Sequence, residues 1–229
     1  MQIDEEMRSR LSIIFEKLRN SDFSLISNVV CGRPLNGLKG FEASVLGVKY
    51  KVFLADYDFK VDFEDPLGRF EDSYKLFGYM LNAFERAFAG RFVGCKKGLT
   101  KIIQLPGGGT AQLYERRITN FLAAEMDGAD VGEVEEAAKN LGGCMVEHPN
   151  ATWSFEVNPF NGVRIRVVYW EGEEEIPPGA AILLGEEVKE VNMPIEELII
   201  IIEIAVNRLV QFYRKATNRK PRVFDSLYL

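Results

Sequence analysis

Four glutamates follow a tryptophan at the end of a strand-like stretch, in VVYWEGEEEIPPGAAILL. They are Glu171, Glu173, Glu174 and Glu175. Crowded carboxylates can bind a hard cation or share a proton as an acid–base pair, and the indole of Trp170 offers a stacking face. The interpretation we favour is a charged, solvated connection between two buried segments, on which the prolines impose an extended path. Trp170, Glu173, Glu174 and Glu175 remain candidate ligand-binding residues.

A second candidate is a glycine run before a helix-like stretch, made of Gly107, Gly108, Gly109 and Thr110. Bare backbone N–H groups at a helix start can cradle a phosphate. The run lacks the Gly-Lys-Ser/Thr ending of a P-loop, and the GxGxxG spacing of dinucleotide sites is absent. Thr110 as the N-cap of the helix is the simpler interpretation. Arg116 and Arg117 follow closely and keep phosphate binding open.

Two arginines supply a possible partner for an anion. Arg164 and Arg166 alternate with apolar residues in a predicted strand, so one face of that strand carries positive charge. They could position an anionic substrate while Glu173, Glu174 or Glu175 serves as a base or metal ligand.

The single histidine is a weaker candidate. A zinc site at His148 would have to recruit Cys144 and a carboxylate such as Glu147, and a Cys–His pair could also serve nucleophilic catalysis. We favour a partly exposed structural histidine. The other cysteines are Cys31 and Cys95, and no CxxC pair exists, so we predict no metal site and no cofactor.

Five predicted helices position these residues. Apolar spacing and end signals place them at 4–18, 73–90, 113–126, 127–143 and 193–219. Four successive isoleucines in the last stretch suit a strand, but Pro194 and two early glutamates favour a helix that is apolar on nearly every face. Glu203, Asn207 and Arg208 interrupt it too early for a membrane span.

The predicted strands are antiparallel. A hairpin turns at Gly47 and FKVDF extends it, LISNVVCG is a short strand, and a second hairpin turns at NPFNG. The fold class is therefore α+β, with hairpins or a sheet packed on about five helices and a long buried C-terminal helix. We expect one domain over 1–229, in which 1–72 packs on 73–216 and 217–229 is a tail.

Composition and net charge reduce the number of function classes that fit this chain. The chain has 229 residues, a formal net charge of −6 and a pI near 5.1, which makes nucleic-acid binding an unlikely role. Charges mixed into the N-terminal helix exclude a signal peptide, and three thiols without a disulfide pattern fit the cytoplasm. The apolar tail VFDSLYL can dock back on the chain or contact a second copy, so a homodimer is possible.

Five segments between Tyr74 and Val210 resemble those of a known family in their sequences and in their order along the chain. They are YKLFGYMLNAF, LPGGGTAQLYERRITNFLA, AAKNLGG, RIRVVYWEGEEEIPPGAAILL and NMPIEELIIIIEIAVNRLV. They resemble an uncharacterised prokaryotic family, the domain of unknown function 3786. The family pattern has an aspartate in the acidic burst and LFD after it, whereas this chain has Leu183, Leu184 and Gly185. Some relatives append a cysteine-rich iron–sulfur segment that this chain lacks. The resemblance implies one domain and no established activity.

Three hypotheses follow. The first is a small-ligand-binding or accessory module without its own catalytic machinery, which recognises a small molecule or a protein near Trp170 and the glycine run. The second is an enzyme that uses Glu173 to Glu175 on an anionic substrate. The third is a homo-oligomeric structural protein. We favour the first, because no complete catalytic constellation is present in the sequence.

Overall fold

The computed structural model describes residues 3–20, 24–35, 40–55, 58–223 and 227. The chain divides into two compact units. The first unit comprises Met1–Val93 and Pro159–Asn161, and the second comprises Gly94–Asn158 and Gly162–Leu229.

The first unit contains three helices, which are α1 (Glu5–Arg19), α2 (Ser24–Val29) and α3 (Phe70–Phe88). The carboxylate of Asp4 caps α1 by accepting the N–H of Met7 at 2.8 Å, as predicted for this residue. Residues 25–29 of the segment LISNVVCG lie in α2 and not in a strand, and only Cys31 and Gly32 at its end are extended. The strand prediction was therefore wrong for this segment, because a short apolar stretch does not distinguish the two structures.

The same unit contains a four-stranded antiparallel sheet in the order β1-β2-β3-β4. Its strands are β1 (Cys31–Pro34), β2 (Gly40–Val45), β3 (Val48–Ala55) and β4 (Asp58–Glu64). Leu46 and Gly47 both have positive φ and form the two-residue turn of the predicted hairpin. Phe41 packs against Phe15 of α1 and Phe84 of α3, with ring centroids 5.9 and 5.3 Å apart.

The second unit is built on a five-stranded sheet in the order β5-β9-β8-β7-β6. Its strands are β5 (Leu99–Thr100), β6 (Cys144–Met145), β7 (Trp153–Phe160), β8 (Val163–Trp170) and β9 (Gly179–Gly185). The predicted hairpin of β7 and β8 is present, with a tighter turn at Asn161 and Gly162. Nearly all of β8 is buried, so its polar residues need partners within the unit.

Four helices complete the second unit, which are α4 (Gly108–Met126), α5 (Val131–Leu141), α6 (Val188–Val191) and α7 (Ile195–Thr217). Both α4 and α5 pack on α7. Residues 201–210 of α7 are all buried, and each fully buried isoleucine there stabilises the fold by about 1.5–3 kcal/mol. The isoleucine stretch is thus the central core helix of this unit.

The α+β class and the long buried C-terminal helix are confirmed. Acidic residues in the first turn of α7 and basic residues in its last turn complement the helix dipole, which outweighs the strand propensity of isoleucine. Within the described ranges, every helix is too short or too polar to cross a bilayer. The arrangement of 1–229 as one domain stays a prediction.

Candidate functional site

The acidic segment after β8 is a solvated turn. The backbones of Glu173 and Ile176 exchange hydrogen bonds at 2.9 and 3.0 Å, which closes the turn. Glu171, Glu173, Glu174 and Glu175 are all exposed. Glu173, Glu174 and Glu175 line neither of the two cavities described below, so the structure gives them no common pocket in which to act as catalytic groups.

Trp170 lies beside the single histidine. The rings of His148 and Trp170 meet edge to face, with centroids 6.2 Å apart and an interplanar angle of 79°. His148 also lines a cavity of about 600 Å³, here called the His148 cavity. Other lining residues include Val131, Met145, Glu147, Thr152 and Trp153. This volume falls in the range of small-molecule sites.

Two polar atoms of the His148 cavity lack partners. The Nδ1 atom of His148 and the Nε1 atom of Trp153 are buried and have no hydrogen-bond partner among the described residues. Trp153 is only 3% exposed, so its indole N–H donor has been removed from water. A buried donor without an acceptor costs about 1–3 kcal/mol.

A tyrosine supports the wall of the cavity. Tyr169 stacks on Trp153 with ring centroids 4.8 Å apart and an interplanar angle of 12°. Its hydroxyl also has no partner in the described part of the chain, and the side chain is 1% exposed. Burial raises the pKa of the Tyr169 hydroxyl to about 12, and the carboxylates of Asp127 and Glu171 act in the same direction.

Arg164 is buried in an ion-pair network. Its Nε donates to Glu187 Oε1 at 2.8 Å, and its Nη1 donates to Glu156 Oε1 at 3.3 Å. Its Nη2 donates to the backbone carbonyls of Lys96 and Gly98 at 2.5 and 3.1 Å. Burial acts to lower the pKa of Arg164, but the hydrogen bond and charge of Glu187 outweigh it, so this pKa is raised.

Arg166 is also engaged by a carboxylate. Its Nε and Nη2 lie 2.8 and 2.7 Å from Glu156 Oε1. Both guanidinium groups of the strand therefore bind acids of the same unit. These side chains neutralise Glu156 and Glu187, and the hypothesis that Arg164 or Arg166 positions an external anion stays a prediction.

The glycine run begins α4 in an unexpected way. Gly107 is the N-cap residue, with φ of 75°, and Thr110 lies in the first turn and donates from Oγ1 to the Gly107 carbonyl at 2.8 Å. The prediction of Thr110 as N-cap was therefore wrong. A Cβ on Gly108 would lie 1.9 Å from the carbonyl oxygen of Ile102, so this glycine serves close backbone packing.

The two parts of the expected pocket have different neighbours. Gly107 lies against Ile195, where an added Cβ would be 3.1 Å from Cγ2, and Trp170 lies against His148. A pocket shared by Trp170 and the glycine run stays a prediction. Cys144, the proposed partner of His148, is exposed on β6. Among the described residues no group of three or more histidine, cysteine or acidic side chains could hold a metal ion.

A second cavity, of about 580 Å³, lies on the outer face of the sheet in the first unit. The strand register aligns Arg33, Glu42, Lys51 and Asp62 in one row across four strands, with alternating charge. Arg33 Nη2 lies 2.8 Å from Glu42 Oε2. These side chains can satisfy one another, which is the behaviour of a solvated sheet face.

The C-terminal segment docks on the second unit. Buried Glu125 pairs with Arg214 at 2.8 Å and accepts the backbone N–H of Val223 at 2.8 Å. Leu227 is buried and its N–H donates to Asn207 Oδ1 at 3.3 Å. Docking of VFDSLYL on its own chain is thus seen at Val223 and Leu227. The remaining residues, 224–226 and 228–229, lie outside the described residues, and a homodimer stays a prediction.

A comparison with known families finds the same family that the order of segments in the sequence resembles. The model of a family described as a domain of unknown function (DUF3786) matches residues 22–208. The chain belongs to this family. The match starts well before Tyr74, so the sheet of the first unit falls within the DUF3786 region. No curated protein and no solved structure matches the chain.

Gly185 lies beside the ion pair of Arg164. A Cβ on it would lie 2.1 Å from Glu187 Oε1. That carboxylate is only 2% exposed and is held by Arg164. A side chain at residue 185 would therefore displace the Glu187 carboxylate from its present position in this DUF3786 protein.

The sequence did not single out Trp153, Tyr169 or Thr152. Strand alternation placed both aromatic rings in a hairpin, but their stacking depends on the pairing of β7 with β8. Thr152 Oγ1 accepts the N–H of Glu171 at 2.8 Å, a contact that joins the cavity to the acidic segment. The signal available in the sequence was the aromatic content of two paired strands close to the single histidine.

We expect Arg164→Met to lower the free energy of unfolding by about 3–5 kcal/mol, because Glu187 would stay buried without its charge partner. Urea denaturation followed by circular dichroism measures the change. The control is Lys139→Met, which breaks the exposed 2.7 Å pair with Glu135 in the same unit and should cost at most about 0.5 kcal/mol. Equal effects of the two substitutions would contradict a structural role for Arg164.

Gly108→Ala and Gly109→Ala test the packing at the start of α4. We expect Gly108→Ala to destabilise by about 1–3 kcal/mol, because its methyl group meets the Ile102 carbonyl. The adjacent Gly109 has open space, so Gly109→Ala should be neutral or stabilise by up to about 1 kcal/mol. Thermal denaturation monitored by circular dichroism compares them, and equal melting temperatures would refute the packing role.

Tyr169→Phe tests the orphaned hydroxyl. We expect the stability near neutral pH to stay within about 1 kcal/mol or rise, because no protein hydrogen bond is lost. The folded pKa of about 12 exceeds the ordinary tyrosine value of 10.0, so the native hydroxyl keeps a proton that the unfolded chain loses. The contribution of Tyr169 to stability is therefore complete below the unfolded pKa and is lost as the pH rises through the folded pKa.

The variant should consequently lose less stability than the parent chain between about pH 10 and about pH 12, as measured by urea denaturation. Tyr114→Phe, which removes an exposed hydroxyl from α4, controls for the substitution itself. Parallel pH curves for the parent chain and the Tyr169 variant would show that the hydroxyl is not shielded.

Proposed function

We propose that this DUF3786 protein is a small-ligand-binding module without its own catalytic machinery, and that the ligand occupies the His148 cavity. The observation that supports this most concerns Trp153. This residue lines the cavity, and its buried indole N–H has no acceptor among the described residues. Folding tolerates such a donor at a cost, and ligand sites commonly contain a few polar groups among apolar walls.

The remaining wall suits the same role. Val131 and Met145 supply apolar surface, and the Trp153 ring is backed by Tyr169. Rings held by stacking keep their orientation without a ligand, so little conformational entropy is lost when one binds. The alternative of an enzyme with Glu173 to Glu175 as its catalytic acids receives less support, because these acids are exposed.

We place this activity in the cytoplasm of a prokaryotic cell. Cys31, Cys95 and Cys144 are free thiols on the surface, which suits a reducing compartment. The ligand would be held by packing and hydrogen bonds and not by a metal ion or a covalent link.

A thermal-shift screen with small molecules of several charge types tests the proposal. We expect at least one class of compound to raise the melting temperature, since a ligand that binds only the folded state stabilises it. Trp153→Phe keeps an aromatic ring and removes the N–H donor, so it should weaken the affinity of such a compound by about two- to tenfold.

The unfolding free energy without ligand should fall by about 1–3 kcal/mol in Trp153→Phe, because the smaller ring leaves a void at a site that is only 3% exposed. The affinity is therefore measured where the variant is fully folded, which separates a binding role from a structural one. A screen without any stabilising compound, or a stabilising compound whose affinity is the same for the variant, would refute the proposal.

A further inference from the structure

Two buried acceptors of the second unit hold the C-terminal segment by its backbone. Glu125 Oε1 accepts the N–H groups of Arg222 and Val223 at 3.0 and 2.8 Å. Asn207 Oδ1 accepts the N–H of Leu227 at 3.3 Å. Every residue except proline offers such an N–H group, so these acceptors recognise an extended chain and not a particular set of side chains.

Both acceptors belong to core helices. Glu125 on α4 is 1% exposed, and Asn207 on α7 is fully buried. A polar side chain at such a position needs partners that replace water. The Glu125 carboxylate is shared between the guanidinium of Arg214, at 2.8 Å, and the backbone of the segment. Together with Asp127, which directly follows α4, the two acceptors form what is here called the segment site.

Asn207 has a hydrogen-bond donor that the C-terminal segment does not use. Its Nδ2 atom is buried and has no partner among the described residues, although Oδ1 of the same amide binds Leu227. A side-chain amide can bind an extended chain twice, because it accepts an N–H group and donates to a carbonyl. A different segment with a carbonyl oxygen opposite Nδ2 would therefore be held more tightly than the chain's own segment.

Three side chains of the segment add specificity to these backbone contacts. Arg219 Nη2 donates to the Asp127 carbonyl at 2.7 Å, and Arg222 Nη1 donates to the Asp127 carboxylate at 2.5 Å. Leu227 is only 4% exposed and is the apolar anchor. Residues 220–223 are exposed, so they bury little apolar surface. The site thus selects two arginines three positions apart and a leucine five positions after the second.

We propose that the segment site binds an extended segment of a partner protein, and that the chain's own C-terminal segment occupies the site as an internal competitor. The partner segment carries two arginines and a leucine at the spacing described above, and one of its carbonyl groups accepts from Asn207 Nδ2. Main-chain hydrogen bonds supply its affinity and the three side chains supply its specificity. This inference goes beyond the small-ligand role of the His148 cavity, because it concerns other residues.

A fluorescein-labelled peptide with the sequence of residues 217–229, TNRKPRVFDSLYL, is the probe. Fluorescence polarisation measures its affinity for the full chain. The tethered segment competes at an effective concentration of about millimolar, so we expect the parent chain to bind the probe weakly. Val223→Pro in the chain removes an N–H group that Glu125 accepts and releases the tethered segment. This variant should bind the probe at least about tenfold more tightly than the parent chain.

A milder substitution releases the segment with little risk to folding. Arg222→Gln removes the exposed ion pair with Asp127, so it should tighten binding of the probe by about two- to threefold. The matched control is Lys220→Gln, also at an exposed position of the segment, which should leave the affinity unchanged. Trypsin cleavage after Arg219, detected by mass spectrometry, reports release of the segment in each variant.

A second peptide, with proline in place of Val223, should bind the Val223→Pro chain at least about tenfold more weakly than the probe does. Equal binding of the two peptides would overturn the proposal. Failure of the probe to bind variants that circular dichroism shows to be folded and that trypsin cleaves after Arg219 would overturn it as well. If Val223→Pro does not fold, the comparison of Arg222→Gln with the parent chain decides alone.

Light scattering of the parent chain separates the partner protein from a second copy of this chain. We expect a monomer. A dimer that Val223→Pro or Arg222→Gln converts to a monomer would assign the segment site to the C-terminal segment of a second copy, and the choice of a partner protein would be overturned.

Discussion

The buried guanidinium of Arg164 determines the layout of one face in the second unit. It joins β8 to β7 through Glu156, to the start of α6 through Glu187, and to the backbone at 96 and 98. A charge that is only 7% exposed loses several kcal/mol of hydration, so its neighbours are constrained to supply carboxylates and carbonyls. Arg164 thereby holds those four segments together.

Long helices were predictable from the sequence and short elements were not. The apolar spacing of α1 and α3 repeats over several turns, and the end signals of α7 outweigh its isoleucines. The six residues of α2 are too few to show either the helical spacing or the strand alternation of apolar residues. Regular periodicity therefore predicted the class of fold, while the partners of each element depended on contacts between distant residues.

At the candidate site, too, the sequence does not predict which distant side chains bind each other. Alternation in β8 places Arg164 and Arg166 on one face, but it cannot show that Glu187, 23 positions away, neutralises the first of them. The acids after Trp170 are exposed, as the solvated interpretation expected. The hydrogen bond from Glu171 to Thr152, a residue that lines the His148 cavity, joins residues 19 positions apart and could not be inferred from either segment alone.

Gly185 and Glu187 together restrict how this chain can vary. A side chain at 185 would intrude on the carboxylate that now neutralises Arg164. Because the two residues adjoin each other and share one ion pair, substitutions at 185 and 187 should not have additive effects on stability.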